Sequence, residues 1–428
     1  MQVEALADLG PARRHEVFDR HTGVEAIHHD VSEIVDTVRT EGDVALRRFT
    51  EEFDDVTVGN LDITADLERA YDSLDDALLE AIETAAANIR HFHRQQTRTD
   101  WYTETAFGEI GRRFRPIERI GAYVPGGTAA YPSSALMTVV PAKVAGVDQV
   151  AVATPPGDPI HPATKAALHI AGADEVYQVG GAQAIAALAH GTESIPAVSK
   201  IVGPGNPWVT AAKGIVQGTV EIDFLAGPSE ILVIADESAD PSYVASDLLA
   251  QAEHGADSPC IAIVTEPSMG EAIIEALDEQ LSHTKREALA RAALEQDTSA
   301  ILIARSMSEA ISFAEEYAPE HLSIQTNDPR QVAERIPSAG SVFLGPFTPV
   351  AAGDYATGTN HVLPTNGLAK RTGGLSVDDF VRSTTVQQLT EDGLHTLSPT
   401  ITKLAEAEGL NAHAESVRIR TEASGRQD

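Results

Sequence analysis

The amino-acid sequence predicts an α/β fold with two parallel β-sheets, a helical N-terminal segment and a helical C-terminal tail. From about residue 120 onward, short apolar runs alternate with stretches of helical periodicity. This alternation is typical of parallel sheets that are covered by helices on both faces. The number of predicted strands is large for a single domain, so we expect two α/β domains with Rossmann-like sheets.

The candidate strands are short apolar runs at residues 150–154, 176–179, 200–202, 231–235, 260–265, 300–304, 322–325 and 341–344. Helical patterns lie between most of them, at residues 136–145, 162–171, 183–189, 209–217, 242–252, 270–280, 306–317 and 330–336. Residues 1 to about 115 also have helical periodicity, which is clearest at 31–49 and 78–92.

These patterns predict four parts of the chain. We expect a helical N-terminal segment over residues 1–24 and a helical tail over 376–428. The first α/β domain is expected to be discontinuous, with residues 25–120 and 230–375. The second α/β domain is expected over residues 121–229. A segment rich in glycine, proline, threonine and serine, residues 345–376, leads into the tail.

Acidic side chains greatly outnumber basic ones, with 64 Asp and Glu against 31 Lys and Arg, and the formal net charge is −33. Nucleic acids and anionic membranes need a cationic partner surface, so we expect neither as a partner. We interpret the charge as an adaptation to a cytoplasm of very high salt, where repulsion is screened over about 3 Å at 1 M. A surface made for a cationic partner is the alternative, which the even spread of acids along the chain disfavours.

The single cysteine, Cys260, excludes a disulfide framework and a multi-cysteine metal site. Acidic residues stand at the N-terminus, where a signal peptide needs a basic region and an apolar core. No apolar stretch approaches the roughly 18 to 20 residues of a membrane span. We therefore expect a cytoplasmic protein.

Three glycine-rich turns lie at strand ends or helix starts, at residues 123–127, 179–183 and 203–206. Backbone N–H groups at a helix N-terminus bind anions, and glycine allows a phosphate to approach closely. None of the turns has the GxGxxG pattern of the common dinucleotide fold, so each alone is also explained as an ordinary tight turn. Because all three occur in one α/β domain, a phosphate-binding site remains an alternative interpretation of these turns.

Several polar groups lie beside predicted strands and helices, and each has both a purely structural and a functional interpretation. Ser229 and Glu230 precede a buried strand, either as a turn with a capping serine or as a substrate loop. Gln251 and His254 share one helix face, but glutamine is an unusual zinc ligand. Glu320-His321 offers two proton-transfer groups or forms an exposed turn.

We expect residues 352–364 to form a long loop, rich in polar groups and glycine, of a kind that is often functional, and the tail adds Glu408 and His413.

Together, the strings GAYVPGG, GGAQAIAAL, GPGN, DFLAGPSE, QAEHG, APEHL and GDYATGTNHVLPT, with the late His413, closely resemble the histidinol dehydrogenase family. The resemblance covers roughly residues 115–415, with the motifs in the family's order. It implies the last step of histidine biosynthesis, in which L-histidinol is oxidised through L-histidinaldehyde to L-histidine. It also implies one zinc ion per subunit and NAD as the oxidant.

The resemblance also implies roles for particular residues. Zinc would be bound by Gln251, His254, Asp354 and His413. The proton-transfer pair would be Glu320 and His321. His321 would act as the base in the first oxidation. Glu320 would activate water in the second, with His321 again taking a proton. The substrate would contact these six residues and also Ser229, His361 and Glu408.

On the cofactor side, the resemblance implies that NAD contacts Tyr123, Gln183 and Asn206 in the 121–229 domain. It further implies a homodimer in which the tail of one subunit completes the site of the other, through Glu408 and His413. We find no substitution at any of the residues named from the resemblance.

Two other functions stay open at this point. One is zinc- and NAD-dependent oxidation of another primary alcohol on the same scaffold. The other is a non-catalytic protein that binds nucleotide or metal and regulates a partner. A covalent route through a thiohemiacetal is disfavoured, because Cys260 lies in an apolar strand pattern that disfavours a thiolate.

Overall fold

The computed structural model of the protein describes residues 1–20, 23–126, 130–157 and 159–424. Gly127 of the first predicted glycine turn lies outside the described residues. The chain divides into two compact units. The first comprises Met1–Gln96 and Ile117–Phe380, and the second Thr97–Pro116 and Val381–Asp428.

The described strands are β1 Gln2–Ala5, β2 Trp101–Thr105, β3 Gly108–Pro116, β4 Arg119–Tyr123, β5 Gln149–Thr154, β6 Glu175–Gln178, β7 Lys200–Val202, β8 Glu221–Ile222, β9 Ile231–Ala235, β10 Cys260–Val264, β11 Ala300–Ile303, β12 His321–Gln325, β13 Ser341–Leu344 and β14 Val381–Leu389. The described α-helices are α1 Pro11–Phe18, α2 Val24–Glu41, α3 Asp43–Asp54, α4 Leu67–Asp72, α5 Asp76–Arg94, α6 Pro132–Ala145, α7 Pro162–Ala171, α8 Gly181–His190, α9 Pro207–Val216, α10 Pro241–Ala252, α11 Pro267–Leu281, α12 Glu287–Leu294, α13 Met307–Tyr317, α14 Pro329–Ala333, α15 Val350–Tyr355, α16 Glu391–Ala407 and α17 Asn411–Ser424. Short 3₁₀ helices span Leu6–Asp8, Thr64–Asp66, Leu368–Lys370 and Val377–Phe380.

The first unit contains a six-stranded parallel sheet in the order β1-β11-β10-β9-β12-β13. Its central strands β9 and β10 are entirely buried and apolar, as expected of a strand that is covered on both faces. Along β9, Ile231 and Val233 pack with α10 and α11, while Leu232 and Ile234 pack with α13. The alternation of side chains along the strand therefore serves two hydrophobic cores.

A second parallel sheet of the first unit has the order β6-β5-β4-β7-β8. On β5, Val150 and Val152 face α6 and α7, whereas Ala151 and Ala153 face the side covered by α8 and α9. All eight predicted strands and all eight predicted helices of this region are present, with bounds that shift by a few residues. The predicted α/β fold with two parallel sheets is confirmed.

The second unit contains an antiparallel sheet, β14-β3-β2, and the helices α16 and α17. The helical tail is confirmed by these two helices, but the strand β14 before them was not predicted. Helical structure up to about residue 115 is wrong for β2 and β3. β2 and β14 are largely exposed, β3 is partly exposed, and no apolar run marks any of the three. In addition, β3 pairs with a segment more than 260 residues away.

The predicted N-terminal helical segment also needs a correction, because β1 precedes α1 and pairs in parallel with β11. This edge strand is short and mostly exposed, and its partner is distant in the sequence. The predicted domain bounds stay a prediction. Residues 97–116, which we expected in the discontinuous domain, belong to the second unit. Within the part of the chain that the structure describes, no helix is long and apolar enough to cross a membrane.

Candidate active site

A cleft of about 1400 Å³ in the first unit is lined by residues from both parallel sheets. The second sheet contributes the carboxyl end of β4 and the turns after β6 and β7, where ligands bind in open parallel sheets. The six-stranded sheet contributes the amino ends of β9 and β12. Every predicted site residue of the first unit lines this cleft, namely Tyr123, Gln183, Asn206, Ser229, Gln251, His254, Glu320, His321, Asp354 and His361.

Glu320 lies in the short turn between α13 and β12. The turn begins with Ala318 in the left-handed conformation, at φ 52°, which reverses the chain after the helix. Glu320 is only 5% exposed, and its Oε2 accepts hydrogen bonds from Ser229 Oγ at 2.7 Å and from the Glu230 N–H at 2.8 Å. Burial raises the pKa of Glu320, although His321 and Ser229 oppose the shift. The turn therefore holds a buried carboxyl group and is not an exposed loop.

His321 is the first residue of β12 and lies between two carboxylates. Its Nδ1 is 3.0 Å from the Glu230 carbonyl oxygen and 3.5 Å from Glu320 Oε2. Its Nε2 is 3.7 Å from Asp354 Oδ1 and, among the described residues, has no hydrogen-bond partner. Burial alone would lower the pKa of His321, but Glu320 and Asp354 outweigh it and raise the pKa to about 9. A proton on Nδ1 directed to the carbonyl leaves Nε2 for proton transfer.

Gln251 and His254 lie at the end of α10. The helix ends at Ala252, and the His254 N–H donates to the Gln251 carbonyl oxygen at 3.1 Å. The Gln251 side chain is 2% exposed, and within the described chain neither atom of its amide has a hydrogen-bond partner. Leaving a buried polar group unsatisfied costs about 1–3 kcal/mol, so this amide is suited to a ligand that enters the cleft.

Asp354 lies in the last turn of α15, within the stretch that we expected to be loop. Burial alone would raise its pKa, but the interaction with the nearby His321 ring outweighs burial and lowers it. The Asp354 carbonyl oxygen is 3.1 Å from His361 Nδ1, and Ser134 Oγ is 3.3 Å from His361 Nε2. Burial lowers the pKa of His361, which favours a neutral ring.

The fit of these residues to a metal rests on their donor set. Across residues 1–20, 23–126, 130–157 and 159–424, no group of three or more His, Cys, Asp or Glu side chains is arranged to hold a metal ion. The predicted set brings only His254 and Asp354 of these types to the cleft, together with the amide of Gln251. One imidazole, one carboxylate and one amide oxygen suit a zinc ion that keeps positions open for further ligands.

The two predicted residues of the tail are outside the first unit. Glu408 directly follows α16, and His413 lies in the first turn of α17, where its N–H donates to the Leu410 carbonyl oxygen at 3.0 Å. Both side chains are exposed within the second unit.

The residues that we predict to contact a cofactor lie among the glycine turns at one side of the cleft. Tyr123 ends β4, and its hydroxyl accepts a hydrogen bond from the Gly181 N–H at 3.1 Å. Burial raises the pKa of Tyr123 to about 12, so this hydroxyl stays protonated. Asn206 caps α9 by accepting from the Val209 N–H at 3.1 Å. Gly203 has φ 112°, and a side chain there would collide with the Tyr123 carbonyl oxygen.

The sequence did not point to four polar residues that support this cleft, namely Arg20, Ser134, Lys213 and Asp223. Ser134 could have been noticed as a serine in a nearly apolar helix. Asp223 lies in a motif that we quoted, but its role in holding a turn depends on Lys213. Arg20 carries no local signal, because its partners are more than 200 residues away.

The fold and the cleft define an α/β enzyme with a buried carboxylate–imidazole pair facing a glycine-rich sheet edge. The family model of histidinol dehydrogenase matches residues 19–421. The histidinol dehydrogenases of Haloarcula marismortui and Halobacterium salinarum are 64% and 60% identical, and each match covers 99% of this chain and 100% of the relative. The crystal structure of histidinol dehydrogenase from Elizabethkingia anophelis superimposes with a TM-score of 0.94 at 39% identity and covers 99% of both chains.

The chain belongs to the histidinol dehydrogenase family, as its motifs predict. Membership makes it an oxidoreductase of histidine biosynthesis.

Proposed function

We propose that this protein oxidises L-histidinol to L-histidine through L-histidinaldehyde, with NAD as the oxidant and one zinc ion per subunit. The observation that carries the proposal is the buried Glu320–His321 pair, which shares one cleft with the unsatisfied amide of Gln251. Two successive oxidations need a base for the alcohol and a group that activates water, and this pair offers both.

The two bound groups have distinct tasks. Gln251, His254, Asp354 and His413 would hold the zinc ion, which would supply a positive centre for binding and orienting the substrate. Tyr123, Gln183 and Asn206 would hold NAD, which would supply the hydride acceptor for both oxidations. We assign this cofactor side to the predicted 121–229 domain.

In the first oxidation, His321 removes the carbinol proton. Its Nδ1 lies against the Glu230 carbonyl oxygen, so the ring keeps one orientation and presents Nε2 toward Asp354. The ring is 3% exposed, which limits the access of bulk water to this base. A hydride leaves the carbinol carbon only as the O–H proton is removed, and an oriented base shielded from bulk water suits that proton transfer.

In the second oxidation, Glu320 activates the water that adds to the aldehyde. Ser229 and the Glu230 N–H both donate to Oε2, which leaves Oε1 to accept a proton from water. Burial raises the pKa of Glu320 and so makes its carboxylate a stronger base than an exposed glutamate. His321 again takes a proton as the hydrated aldehyde is oxidised.

Substrate selection rests on polar groups around the cleft. His361 is held between Ser134 and the Asp354 carbonyl, and Ser229 faces the same space. We propose that Glu408 and His413 contact the substrate and zinc across a homodimer interface, so that each site is shared. Three of the four proposed zinc ligands line the cleft of the first unit, which supports the need for a tail residue to complete the set.

We propose that the protein works in a cytoplasm of high salt. Its net charge of −33 and the haloarchaeal sources of its relatives at 64% and 60% identity support this setting. Neither nucleic acid nor a membrane is a proposed partner, because the acidic surface offers no cationic footprint for either.

The test is the stoichiometry of turnover in concentrated KCl. With purified protein, zinc, L-histidinol and NAD, we expect two NADH for each histidine, loss of activity after chelation, and recovery when zinc is added. Faster turnover of a different amino alcohol would favour the alternative substrate. Absence of NADH with zinc present would favour a regulatory binding protein.

Sharing of the site between subunits has its own test. Folded His413→Ala and His321→Ala proteins are mixed under conditions of subunit exchange. We expect recovered activity, because one of the two hybrid sites then contains both intact residues. No recovery at proven exchange would contradict a shared site.

A further inference from the structure

Two buried charged residues, Arg20 and Glu230, lie behind the Glu320–His321 pair, and their side chains have no part in the chemistry above. Arg20 follows α1 and is 6% exposed, and Glu230 is fully buried. Arg20 Nη1 lies 2.7 Å from Glu230 Oε1, and its Nη2 donates to the Tyr317 carbonyl oxygen at 2.9 Å. The guanidinium also lies over the Tyr317 ring, 3.8 Å from its centre.

Glu230 is bonded to both members of the proton-transfer pair. Its N–H donates to Glu320 Oε2 at 2.8 Å, while the Glu320 N–H donates back to Glu230 Oε1 at 3.2 Å. Its carbonyl oxygen accepts from the His321 N–H at 3.2 Å and lies 3.0 Å from His321 Nδ1. Glu230 therefore fixes the position of both the Glu320 carboxylate and the His321 ring.

The Arg20–Glu230 pair is poorly explained by stability alone. Well-packed apolar residues often stabilise a fold as much as a buried ion pair does. Within the described chain, Glu230 Oε2 and Arg20 Nε have no hydrogen-bond partner, so the pair does not satisfy its own polar atoms. Burial of Glu230 beside Glu320 places two carboxylates close together, and Arg20 supplies the balancing charge.

We propose that Arg20 and Glu230 are positioning residues, and that the Arg20 charge keeps Glu230 in the geometry that orients Glu320 and His321 for the second oxidation. The proposal rests on the proposed roles of that pair. Without Arg20, an uncompensated carboxylate would lie against Glu320. The bonds that Glu230 makes to the pair would then rearrange, and the carboxylate that activates water would lose its orientation.

The experiment compares Arg20→Met with a matched control, Arg14→Met. Arg14 lies on α1, stacks on Phe313 of α13 and pairs with the exposed Glu316 at 2.5 Å, and among the described residues it makes no hydrogen bond to Glu230. We expect Arg20→Met to lower kcat for L-histidinaldehyde at least tenfold, with KM and zinc content within twofold of wild type. Arg14→Met should retain the wild-type kcat.

Charge balance is tested by the double variant Arg20→Met/Glu230→Gln. A neutral glutamine keeps the backbone bonds to Glu320 and His321 and accepts from the Glu320 N–H, so we expect kcat within threefold of wild type. If Arg20→Met does not fold, Arg20→Lys replaces it, with an expected three- to tenfold loss in kcat at unchanged KM.

Three kinetic results would overturn the proposal. They are a wild-type kcat in folded Arg20→Met or Arg20→Lys, a kcat loss that the double variant does not reverse, and an equal loss in Arg14→Met. The ring ¹⁵N resonances of His321 give a readout without turnover, and they should shift in Arg20→Met and return in the double variant. Unchanged resonances would also count against the proposal. A wild-type protein that fails to oxidise histidinol contradicts the proposed function alone, because the resonances still report the positioning.

Discussion

Lys213 and Asp223 form a buried ion pair that holds both backbone polar groups of Gly203. Lys213 Nζ donates to the Gly203 carbonyl oxygen at 3.0 Å, and the Gly203 N–H donates to Asp223 Oδ2 at 2.8 Å. The Asp223 carboxylate also accepts from the Phe224 N–H at 2.7 Å. The glycine turn before Asn206 is thus fixed from two sides, on the proposed NAD side of the cleft.

Asp223→Asn should therefore weaken NAD binding. The amide cannot accept from two N–H groups and pair with lysine equally well, so the turn loosens. We expect KM for NAD to rise about tenfold, which is about 1.4 kcal/mol, while KM for histidinol stays within twofold. Lys200→Met is the control, because Lys200, the first residue of β7, pairs at 3.5 Å with Asp379 of the 3₁₀ helix Val377–Phe380 and, among the described residues, makes no hydrogen bond to Gly203. Unchanged NAD kinetics in Asp223→Asn would contradict the role of the turn.

Gln251→Met should reduce zinc retention on the order of tenfold or more, because it removes one oxygen donor while preserving volume in the buried site. The measurement is metal content after dialysis against increasing chelator concentrations. Gln280→Met is the control, since Gln280 donates to the Ser242 carbonyl oxygen on an exposed surface. Equal zinc retention in both variants would contradict the assignment of Gln251 as a zinc ligand.

Cys260 is expected to be dispensable for turnover. It begins β10, is fully buried, and burial raises its pKa to about 12, so no thiolate is available near neutral pH. Cys260→Ala and Cys260→Ser should retain most of the wild-type kcat, with lower thermal stability. Complete inactivity in a folded variant would instead support a covalent mechanism through a Cys260 thiohemiacetal.

Asp247 makes stability depend on pH. Burial raises the pKa of this α10 residue from an ordinary 3.8 to about 6, although Ser323 and Gln325 donate to it. The folded state therefore binds this proton more tightly than the unfolded state does. The stabilisation is fully present below pH 3.8 and is lost as pH rises through 6, up to roughly 3 kcal/mol.

Asp247→Asn should remove this component of the pH dependence. The free energy of unfolding, measured with denaturant between pH 4 and pH 7, should fall less steeply in the variant than in wild type. Asp278→Asn is the control, since Asp278 is an exposed residue of α11. Parallel curves for wild type and Asp247→Asn would show that the residue titrates alike in both states.

The sequence predicted the buried parts of the fold well and the exposed parts poorly. Strands such as β9 and β10 are apolar along their whole length because both faces are covered, and this leaves a local signal. The strand β14 is largely exposed, with polar residues at most positions, and β1 is a short edge strand. Their identity as strands depends on partners far along the chain, which no local pattern contains.

The candidate site divides in the same way. Glu320, His321 and Gln251 stand in motifs whose resemblance to the family named them, and the structure brings them to one cleft. Arg20 and Lys213 act through buried bonds to residues of those motifs. Burial and pairing decide their importance, and both are properties of the folded chain. The unsatisfied amide of Gln251 is another feature that only the structure reveals.

The division of labour between His321 and Glu320 is tested most directly by product analysis of Glu320→Gln with stoichiometric L-histidinol and excess NAD. The account predicts one NADH per active site and an aldehyde that an added carbonyl reagent traps, whereas wild type gives two NADH and histidine. His321→Asn should give neither product at a comparable rate. If folded, zinc-loaded Glu320→Gln forms histidine at the wild-type rate, a role for Glu320 in activating water is contradicted.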